Sequence, residues 1–297
     1  MAGYKIKDIE ILTGIKAHTL RIWEKRYGIL DPTRTETQIR TYTDKELAYL
    51  LNISMLNKSG HKISKIAKLE NEELSKLVWD LKYNSSDNSD DKLILALVEL
   101  DETLFRDTLA LLIVEHGLEN TFTQFIIPFL DRIGIMWLIG TINPAQEHFI
   151  TNLIRQKVIG EIDKLPIPDP KKDAIMLYLP EHEWHELSLL FYQFILRKND
   201  INTFYLGQSL PYDSLIECVE KLKPKALMTS LLGAVEENYI ESYFKNIEKD
   251  TNSIPVFAGG AQIMNFENKL PKTVKVIKSY LDLENCMKSF IEKSSTK

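Results

Sequence analysis

The chain has 297 residues, of which 27% are charged and 44% hydrophobic, a globular composition with room for two or three domains. It has no apolar run of the roughly 18–20 residues that a membrane span needs, and its N-terminus lacks an apolar signal core. Its two cysteines lie far apart, so we expect a protein of the reducing cytoplasm with no membrane partner.

The charge is distributed unevenly along the chain. The net charge is −5, yet residues 1–68 carry 13 Lys and Arg against 7 Asp and Glu. A basic head therefore precedes an acidic body, which is expected if only the head contacts nucleic-acid phosphates.

Residues 1–83 are predicted to form a first domain. Apolar residues at helical spacing in residues 5–13 and 16–27 predict two short helices separated by Thr13-Gly14, the pattern of a helix-turn-helix. A capping box formed by Thr43 and Glu46 predicts a third helix through about Leu56. Further helices are predicted near residues 63–66 and over residues 72–83.

The second of these helices has a basic face opposite an apolar face. A helix that enters the major groove needs one face to dock on its partner and a polar face toward DNA. Arg34 and Arg40 follow in the next loop, where they can reach backbone phosphates. Any single basic residue here is equally consistent with a solvated helix surface.

The ordered sequence is more specific than its single residues. LRIWEKRYGIL, followed by Pro32, Arg34 and QIRTY, resembles the winged-helix DNA-binding domain of MerR-type regulators, and WEKRYG resembles their light- and cobalamin-responsive branch. The resemblance spans residues 4–68 and implies that the chain acts as a dimer or tetramer on double-stranded operator DNA, with RNA polymerase as a further candidate partner. It places Arg21 and Arg40 at phosphates or the groove, Thr19 toward DNA, and Tyr42 in support of the wing. The predicted DNA-binding set is Lys16, His18, Thr19, Arg21, Arg34, Arg40 and Tyr42.

Two polar segments divide the rest of the chain. Residues 84–91 are polar and predict a linker that cannot join a core. Residues 91–166 then predict a four-helix bundle, with breaks at Asp101, near Gly117 and at 140–144. After a proline-rich linker, short apolar strands alternate with helices over residues 171–297 and predict a Rossmann-like parallel sheet covered on both faces. The fold class is therefore multi-domain α and α/β.

Three short motifs follow strands of the predicted sheet, where such sheets bind ligands. They are Glu183–Ser188, Ser230–Leu232 and Gly259-Gly260. A loop histidine can ligate a metal while a carboxylate orients its other nitrogen, and paired glycines allow close approach of the backbone. Taken singly, a histidine between two glutamates is usually solvated and a glycine pair is usually a turn.

In this order the motifs resemble those of the cobalamin-binding domain, Asp/Glu-x-His-x-x-Gly, Ser-x-Leu and Gly-Gly. The resemblance implies that His185 is the lower cobalt ligand and that Glu183 hydrogen-bonds it. Ser230 would line the pocket for the displaced base, with Leu232 in the same motif, and the glycines would border that channel. Ser188 stands where the family has glycine.

The helical segment carries a separate match. Trp137 is followed, after nine residues, by Glu147-His148, which resembles the Trp-x9-Glu-His motif of CarH/LitR-type photoreceptors. The resemblance implies that these residues cap the upper face of the corrin and favours adenosylcobalamin. Without it, Trp137 reads as bundle core and Glu147-His148 as the start of a helix. In the photoreceptors a histidine follows the tryptophan, whereas Leu138 stands here, and leucine cannot ligate cobalt.

These observations predict a non-enzymatic MerR-type regulator of DNA that is controlled by adenosylcobalamin and light. One alternative is a regulator whose sensor has lost its cofactor and responds to a protein partner. Others are a corrinoid carrier or methyltransferase-like protein, and a ligand-free architectural DNA-binding protein. The predicted cofactor-binding residues are Trp137, Glu147, His148, Glu183, His185, Ser188, Ser230, Leu232, Gly259 and Gly260, with His185 as the metal ligand.

Overall fold

The computed structural model describes residues 4–34, 38–69, 73–74, 77, 89–138, 142–233 and 237–295. The chain forms two compact units, Met1–Leu153 and Ile154–Lys297, and their boundary falls within a helix. Across the described residues, no helix has both the length and the apolar character needed to cross a membrane.

The first unit is mainly helical. Its elements are β1 (Tyr4–Lys5), α1 (Ile6–Thr13), α2 (Ala17–Tyr27), β2 (Thr33–Arg34), β3 (Arg40–Tyr42), α3 (Asp44–Lys58), α4 (Ile63–Ile66), α5 (Ser89–Glu99), α6 (Glu102–Thr121), α7 (Ile127–Leu138) and the first half of α8 (Pro144–Asp163).

The predicted helix-turn-helix is confirmed. α1 ends at Gly14, whose φ of 74° lies in the left-handed region that favours glycine, and its N–H closes the helix on Glu10 O. Leu20 of α2 is fully buried, whereas Trp23 and Tyr27 are only partly buried. The predicted capping box opens α3, because Thr43 N donates to Glu46 Oε2 at 2.7 Å.

A small antiparallel sheet of order β1-β3-β2 completes the head. We call its strands β2 and β3 the wing. Tyr4 pairs with Tyr42, and Thr33 pairs with Thr41. The two-residue strands escaped the sequence analysis because they are too short to show an alternating pattern. Most of the helix predicted over residues 72–83 lies outside the described residues.

The prediction that residues 84–91 form a linker excluded from any core is wrong at its C-terminal end. Ser89 and Asp91 are buried in the first turn of α5, and Asp91 Oδ2 accepts a hydrogen bond of 2.6 Å from Lys58 Nζ of α3. A carboxylate is favourable near a helix N-terminus, and the ammonium group compensates its burial. Residues 84–88 lie outside the described part of the chain.

Two of the breaks predicted within the helical segment, at Asp101 and near Gly117, are confirmed, and the third, at 140–144, falls partly outside the described residues. Asp101 caps α6 through a 2.9 Å hydrogen bond from Leu104 N, and α6 is kinked at Gly117. A π-helical segment, Phe122–Ile126, joins α6 to α7. These breaks divide the segment into the helices that a bundle needs.

The second unit contains the end of α8 and an alternating α/β arrangement. Its further elements are β4 (Ala174–Pro180), α9 (Leu187–Lys198), β5 (Asn202–Leu210), α10 (Tyr212–Leu222), β6 (Ala226–Ser230), α11 (Glu237–Asp250), β7 (Val256–Gly259), α12 (Ala261–Asn265), a 3-10 turn (Glu267–Lys269), β8 (Val274–Ile277) and α13 (Tyr280–Ser295).

The five strands form the predicted parallel sheet, in the order β5-β4-β6-β7-β8. On one face, Met176 and Tyr178 of β4 belong to a buried cluster with residues of α10 and α11. Two other helices of the unit, α9 and α13, meet through Phe191 and Tyr280, whose ring centroids lie 6.3 Å apart. Apolar strands buried by helices explain why β4 is buried along its whole length.

The sequence pattern predicts a helix from about Trp184 to Arg197 and a strand over Ile201–Leu206, and the structure differs at one boundary of each. α9 begins at Leu187 rather than near Trp184, and β5 continues to Leu210 rather than ending near Leu206. The reason is that the extra residues of β5 hydrogen-bond residues 181–186: Ser209 N donates to Glu183 O at 3.1 Å. Tertiary contacts of this kind leave no periodic signal in the sequence.

Candidate functional site

The loop after β4 presents a histidine at the carboxyl end of the sheet. His185 has a side chain that is 58% exposed, whereas the carboxylates on either side, Glu183 and Glu186, are buried. A solvated histidine between two solvated acids, the simpler interpretation, does not describe this arrangement.

Glu183 orients the imidazole of His185. Its Oε1 lies 2.5 Å from His185 Nδ1 and accepts the His185 backbone N–H at 2.9 Å. Its Oε2 accepts the N–H groups of Leu232 and Gly233 at 2.8 and 2.7 Å. The carboxylate therefore connects the first motif to the second.

The electrostatics of Glu183 follow from these contacts. Burial raises the pKa of this carboxyl, but the hydrogen bonds from the His185 side chain and from three backbone N–H groups outweigh burial and lower the pKa to about 2. An ionised carboxylate only accepts hydrogen bonds, so Nδ1 of His185 carries the proton and Nε2 is the nitrogen suited to coordinate a metal.

The second motif contributes a buried hydroxyl. Ser230 is 1% exposed at the end of β6, and its Oγ has no hydrogen-bond partner among the described residues. An unsatisfied buried polar atom costs free energy and calls for a partner that the described residues do not supply. Leu232, two residues later, is 39% exposed beside the Glu183 carboxylate.

The glycine pair is required by close packing. A Cβ on Gly259 would lie 2.2 Å from the hydroxyl of Tyr192, and a Cβ on Gly260 would lie 2.3 Å from Leu231 O. Gly260 also has a φ of 96°, which side chains rarely adopt. The sequence suggested that the two glycines let the backbone approach a ligand closely. In the structure they also let it pack closely against Tyr192 and Leu231. Ser188, the departure from the family pattern, is a partly buried residue in the first turn of α9.

The first unit carries the other predicted cofactor residues. Glu147 lies in the first turn of α8 and is partly buried, and His148 follows it and is exposed. Trp137 and Leu138 are the last residues of α7, and their side chains lie outside what the structure describes.

The predicted DNA-binding residues divide by exposure. Those that reach the surface are Lys16, His18, Thr19, Arg21, Arg34 and Arg40. Lys16 Nζ is also 3.0 Å from Glu10 Oε1, and the other oxygen of Glu10 accepts Ala17 N–H. The hydrogen bond from Lys16 lowers the pKa of Glu10. α1 thereby holds the N-terminus of α2 in place.

Tyr42 is the exception among the predicted DNA contacts. Its ring is fully buried and its hydroxyl donates to Glu24 Oε1 at 2.6 Å, so the side chain packs β3 against α2 and does not face solvent. Arg40 donates from Nε to the other oxygen of Glu24 at 2.9 Å. Burial and the hydrogen bond to Glu24 raise the pKa of Tyr42, which keeps its hydroxyl protonated.

Glu24, whose side chain is only 7% exposed and which anchors the wing to α2, was not among the residues predicted from the sequence. Arg155, which binds Glu186, was not among them either. Glu24 falls within the basic stretch of α2, where an acidic residue between Trp23 and Lys25 was the available signal. No local signal pairs Arg155 with a residue 31 positions later.

Comparisons with known proteins agree with this architecture. Residues 4–73 match the MerR HTH family regulatory protein model, and residues 90–159 match the B12 binding domain model. The chain is 26% identical over 267 residues to the HTH-type transcriptional repressor CarH of Myxococcus xanthus, covering 87% of this chain and 89% of that protein. It is 25% identical over 270 residues to the repressor CarA of the same organism, covering 86% of each.

A solved structure supports the fold alone. The monomethylamine corrinoid protein of Methanosarcina barkeri superposes with a TM-score of 0.55 at 16% identity, covering 70% of this chain and 99% of that chain.

A helix-turn-helix head, followed along the chain by an α/β domain with an exposed, carboxylate-oriented histidine, is the organisation expected of a ligand-responsive regulator. With both matches in one chain, the protein combines a MerR HTH region with a B12-binding region, and it is similar along most of its length to CarH and CarA. The names of these relatives favour a regulator rather than an enzyme, and the match to a B12 binding domain favours cobalamin as the cofactor.

The second unit fits that cofactor. An exposed imidazole whose Nδ1 is bound by a carboxylate suits axial coordination of cobalt through Nε2. The unpartnered Ser230 hydroxyl is suited to bind a polar group of the ligand.

Proposed function

We propose that this regulator binds double-stranded operator DNA through its N-terminal head and that adenosylcobalamin and light set its DNA affinity. The single observation that carries the proposal is the fourfold hydrogen-bonded carboxylate of Glu183, which orients His185 and ties it to the Ser230–Leu232 segment. The proposed division of the chain is a DNA-binding domain over residues 1–83, a helical cap over 91–166 and a Rossmann-like domain over 171–297.

His185 is the proposed lower ligand of cobalt. Glu183 binds Nδ1 and orients the ring, so that Nε2 is the nitrogen for the metal, and buried Ser230 holds a polar group of the ligand's displaced base. Ser188, Leu232, Gly259 and Gly260 border the same site. Bound adenosylcobalamin supplies a light-sensitive cobalt–carbon bond.

The proposed upper-face residues are Trp137, Glu147 and His148. A tryptophan shields an axial group, and Glu147 and His148 can hydrogen-bond an adenosine. Leu138 has no metal-binding atom, so the lit state cannot be held by a second histidine at that position.

The proposed DNA surface consists of the exposed basic residues of α2 and the wing. Tyr42 contributes by holding β3 against α2. The regulator would act in the cytoplasm as a dimer or tetramer, with RNA polymerase as a candidate partner. For light to change DNA affinity, the ligand must bind the two assembly states with different affinities.

The sensor is tested by mixing the full chain with adenosylcobalamin in the dark, removing unbound ligand, and recording absorption before and after green light. We expect co-elution of the corrin with a spectrum of histidine coordination that His185→Ala abolishes. An unchanged spectrum in His185→Ala would exclude this residue as the lower ligand.

The DNA surface is tested with Arg21→Ala. We expect weaker operator binding and a salt dependence whose slope falls by about 1, because one phosphate contact is lost. Arg106→Ala, an exposed arginine of α6 paired with Glu102, is the control and should leave binding unchanged. Equal affinities of the two variants at moderate salt would remove Arg21 from the contact surface.

A second candidate function is favoured by Ser188 and Leu138, the two departures from the family pattern. In this case the sensor has lost its cofactor and responds to a protein partner. Failure of the full chain to retain any corrin in the spectral experiment would support it over the first proposal.

A further inference from the structure

Glu186, the residue after His185, has an unusual environment for a loop residue. It is 5% exposed although His185 and Trp184 before it are exposed. Burying a carboxylate is costly unless its oxygens are paired. No part of the proposed function so far uses this group.

Two residues from different elements pair the Glu186 carboxylate. Arg155 of α8 donates from Nε to Oε1, and Tyr205 of β5 donates its hydroxyl to Oε2 at 2.8 Å. Burial, followed by the hydrogen bond to Glu186, raises the pKa of Tyr205, which keeps the hydroxyl a donor. A cation and a neutral donor thus satisfy both oxygens.

The backbone of Glu186 is held as well. Its N–H donates to Trp184 O at 3.0 Å, and its carbonyl accepts Leu190 N–H at 2.9 Å to open α9. The side chain does not cap α9 and instead points to Arg155 and Tyr205. Glu186 therefore anchors the junction between the histidine loop and the helix.

The edge strand β5 braces the other side of the loop. Gln208 Nε2 donates to Trp184 O at 2.8 Å, and Ser209 Oγ accepts His182 N–H at 3.0 Å. Tyr205 belongs to the same strand. The loop is thus fixed before and after His185 while the imidazole stays exposed.

We propose that Glu186, clamped by Arg155 and Tyr205, is a positioning residue for His185 and sets the direction in which its imidazole meets cobalt. Glu183 acts on the ring directly, whereas Glu186 acts on the backbone that carries it. The proposal rests on coordination of cobalamin by His185.

A positioning role for Glu186 and a purely structural role predict different changes in the coordination spectrum. Loss of a contact that merely supports the fold would lower the unfolding midpoint and leave the coordination spectrum of the folded protein unchanged. Loss of a positioning contact changes the spectrum and the affinity, because groups that support a ligand typically contribute about 10- to 100-fold to metal binding.

The chain offers a matched control. Tyr205→Phe and Tyr212→Phe each delete a 2.8 Å hydrogen bond from a partly buried tyrosine to a carboxylate, but the partner of Tyr212 is Asp250, at the end of α11. Only the first substitution touches the clamp on Glu186.

The experiment measures adenosylcobalamin affinity and dark absorption spectra of the full chain, and hydrogen exchange of the His185 amide without ligand. We expect Glu186→Gln to weaken binding about tenfold, to shift the spectrum away from histidine coordination and to speed exchange. Tyr205→Phe should act in the same direction and less strongly, with Tyr212→Phe like the parent.

Parent-like spectra and affinities in both Glu186→Gln and Tyr205→Phe would overturn the proposal, whatever their stability. Should Glu186→Gln fail to fold, Tyr205→Phe and Arg155→Lys test the proposal in its place. The carboxylate keeps Arg155 in the first variant and Tyr205 in the second. His185→Ala with an unchanged spectrum would instead reject the proposed coordination itself, so the two failures are distinguishable.

Discussion

The wing of the DNA-binding head and the histidine loop of the sensor both depend on one buried glutamate, but the two are held differently. Glu24 binds two side chains of β3, those of Arg40 and Tyr42. Glu183 binds one side chain and three backbone N–H groups. A carboxylate anchored by backbone keeps its place whatever the neighbouring side chains are, whereas one anchored by side chains can be released by a single substitution.

The largest effect is expected for Glu183→Ala. It strands the N–H groups of Leu232 and Gly233 and removes the acceptor for His185 Nδ1, so we expect about 10- to 100-fold weaker cobalamin binding and a loss of about 1–3 kcal/mol in unfolding free energy. Spectral titration and urea unfolding measure the two.

Glu241→Ala serves as the control for both measurements, since this surface residue of α11 pairs with Lys245 and lies outside the proposed site. Parent-like cobalamin affinity in Glu183→Ala would show that its backbone contacts serve the fold alone, and the contrast with Glu24 would lose its functional meaning.

A smaller effect is expected for Glu24→Ala. Arg40 and Tyr42 lose their shared acceptor, but Arg40 is partly exposed and can turn to water. We expect about tenfold weaker operator binding, equivalent to the roughly 1–1.5 kcal/mol of a hydrogen-bonded contact, and unchanged cobalamin binding. Weakened cobalamin binding in this variant would contradict the separation of the two regions.

The fall in unfolding free energy at acidic pH should depend in part on Glu183. Its pKa of about 2 lies below the ordinary value of 4.5, so its contribution is present above pH 4.5 and is lost as the pH falls toward 2. The difference in urea midpoint between the parent and Glu183→Gln should therefore shrink over this window. A difference in urea midpoint that stays constant between pH 4.5 and 2 would mean that the charge of Glu183 does not contribute to stability.

The smallest effect is expected for Tyr42→Phe. It removes one hydrogen bond and leaves the buried ring in place, so we expect about 1 kcal/mol lower stability and operator affinity within about twofold of the parent, or roughly 0.4 kcal/mol. Gel-shift titration and urea unfolding test this. A large loss of DNA affinity in Tyr42→Phe, at unchanged stability, would instead indicate that the Tyr42 hydroxyl contacts DNA.

Much of the fold was accessible from the sequence. Helical spacing with Gly14 and the Thr43–Glu46 box predicted the helix-turn-helix, and short apolar strands predicted the parallel sheet. The signal failed where segments were short or polar, as in β1 and at the start of α5, because a two-residue strand has no period and a buried Asp91 depends on a distant Lys58.

The sequence by itself determined the candidate site residues, since His185, Glu183, Ser230 and the glycine pair lie in ordered motifs that resemble those of the cobalamin-binding domain. Only the tertiary structure decided how they are held. Glu183 meets residues about 50 positions away, and Arg155 meets Glu186 31 positions away. Hydrogen bonds at such separations arise from the packing of strands and helices, and pairing of this kind leaves no periodic pattern along the chain.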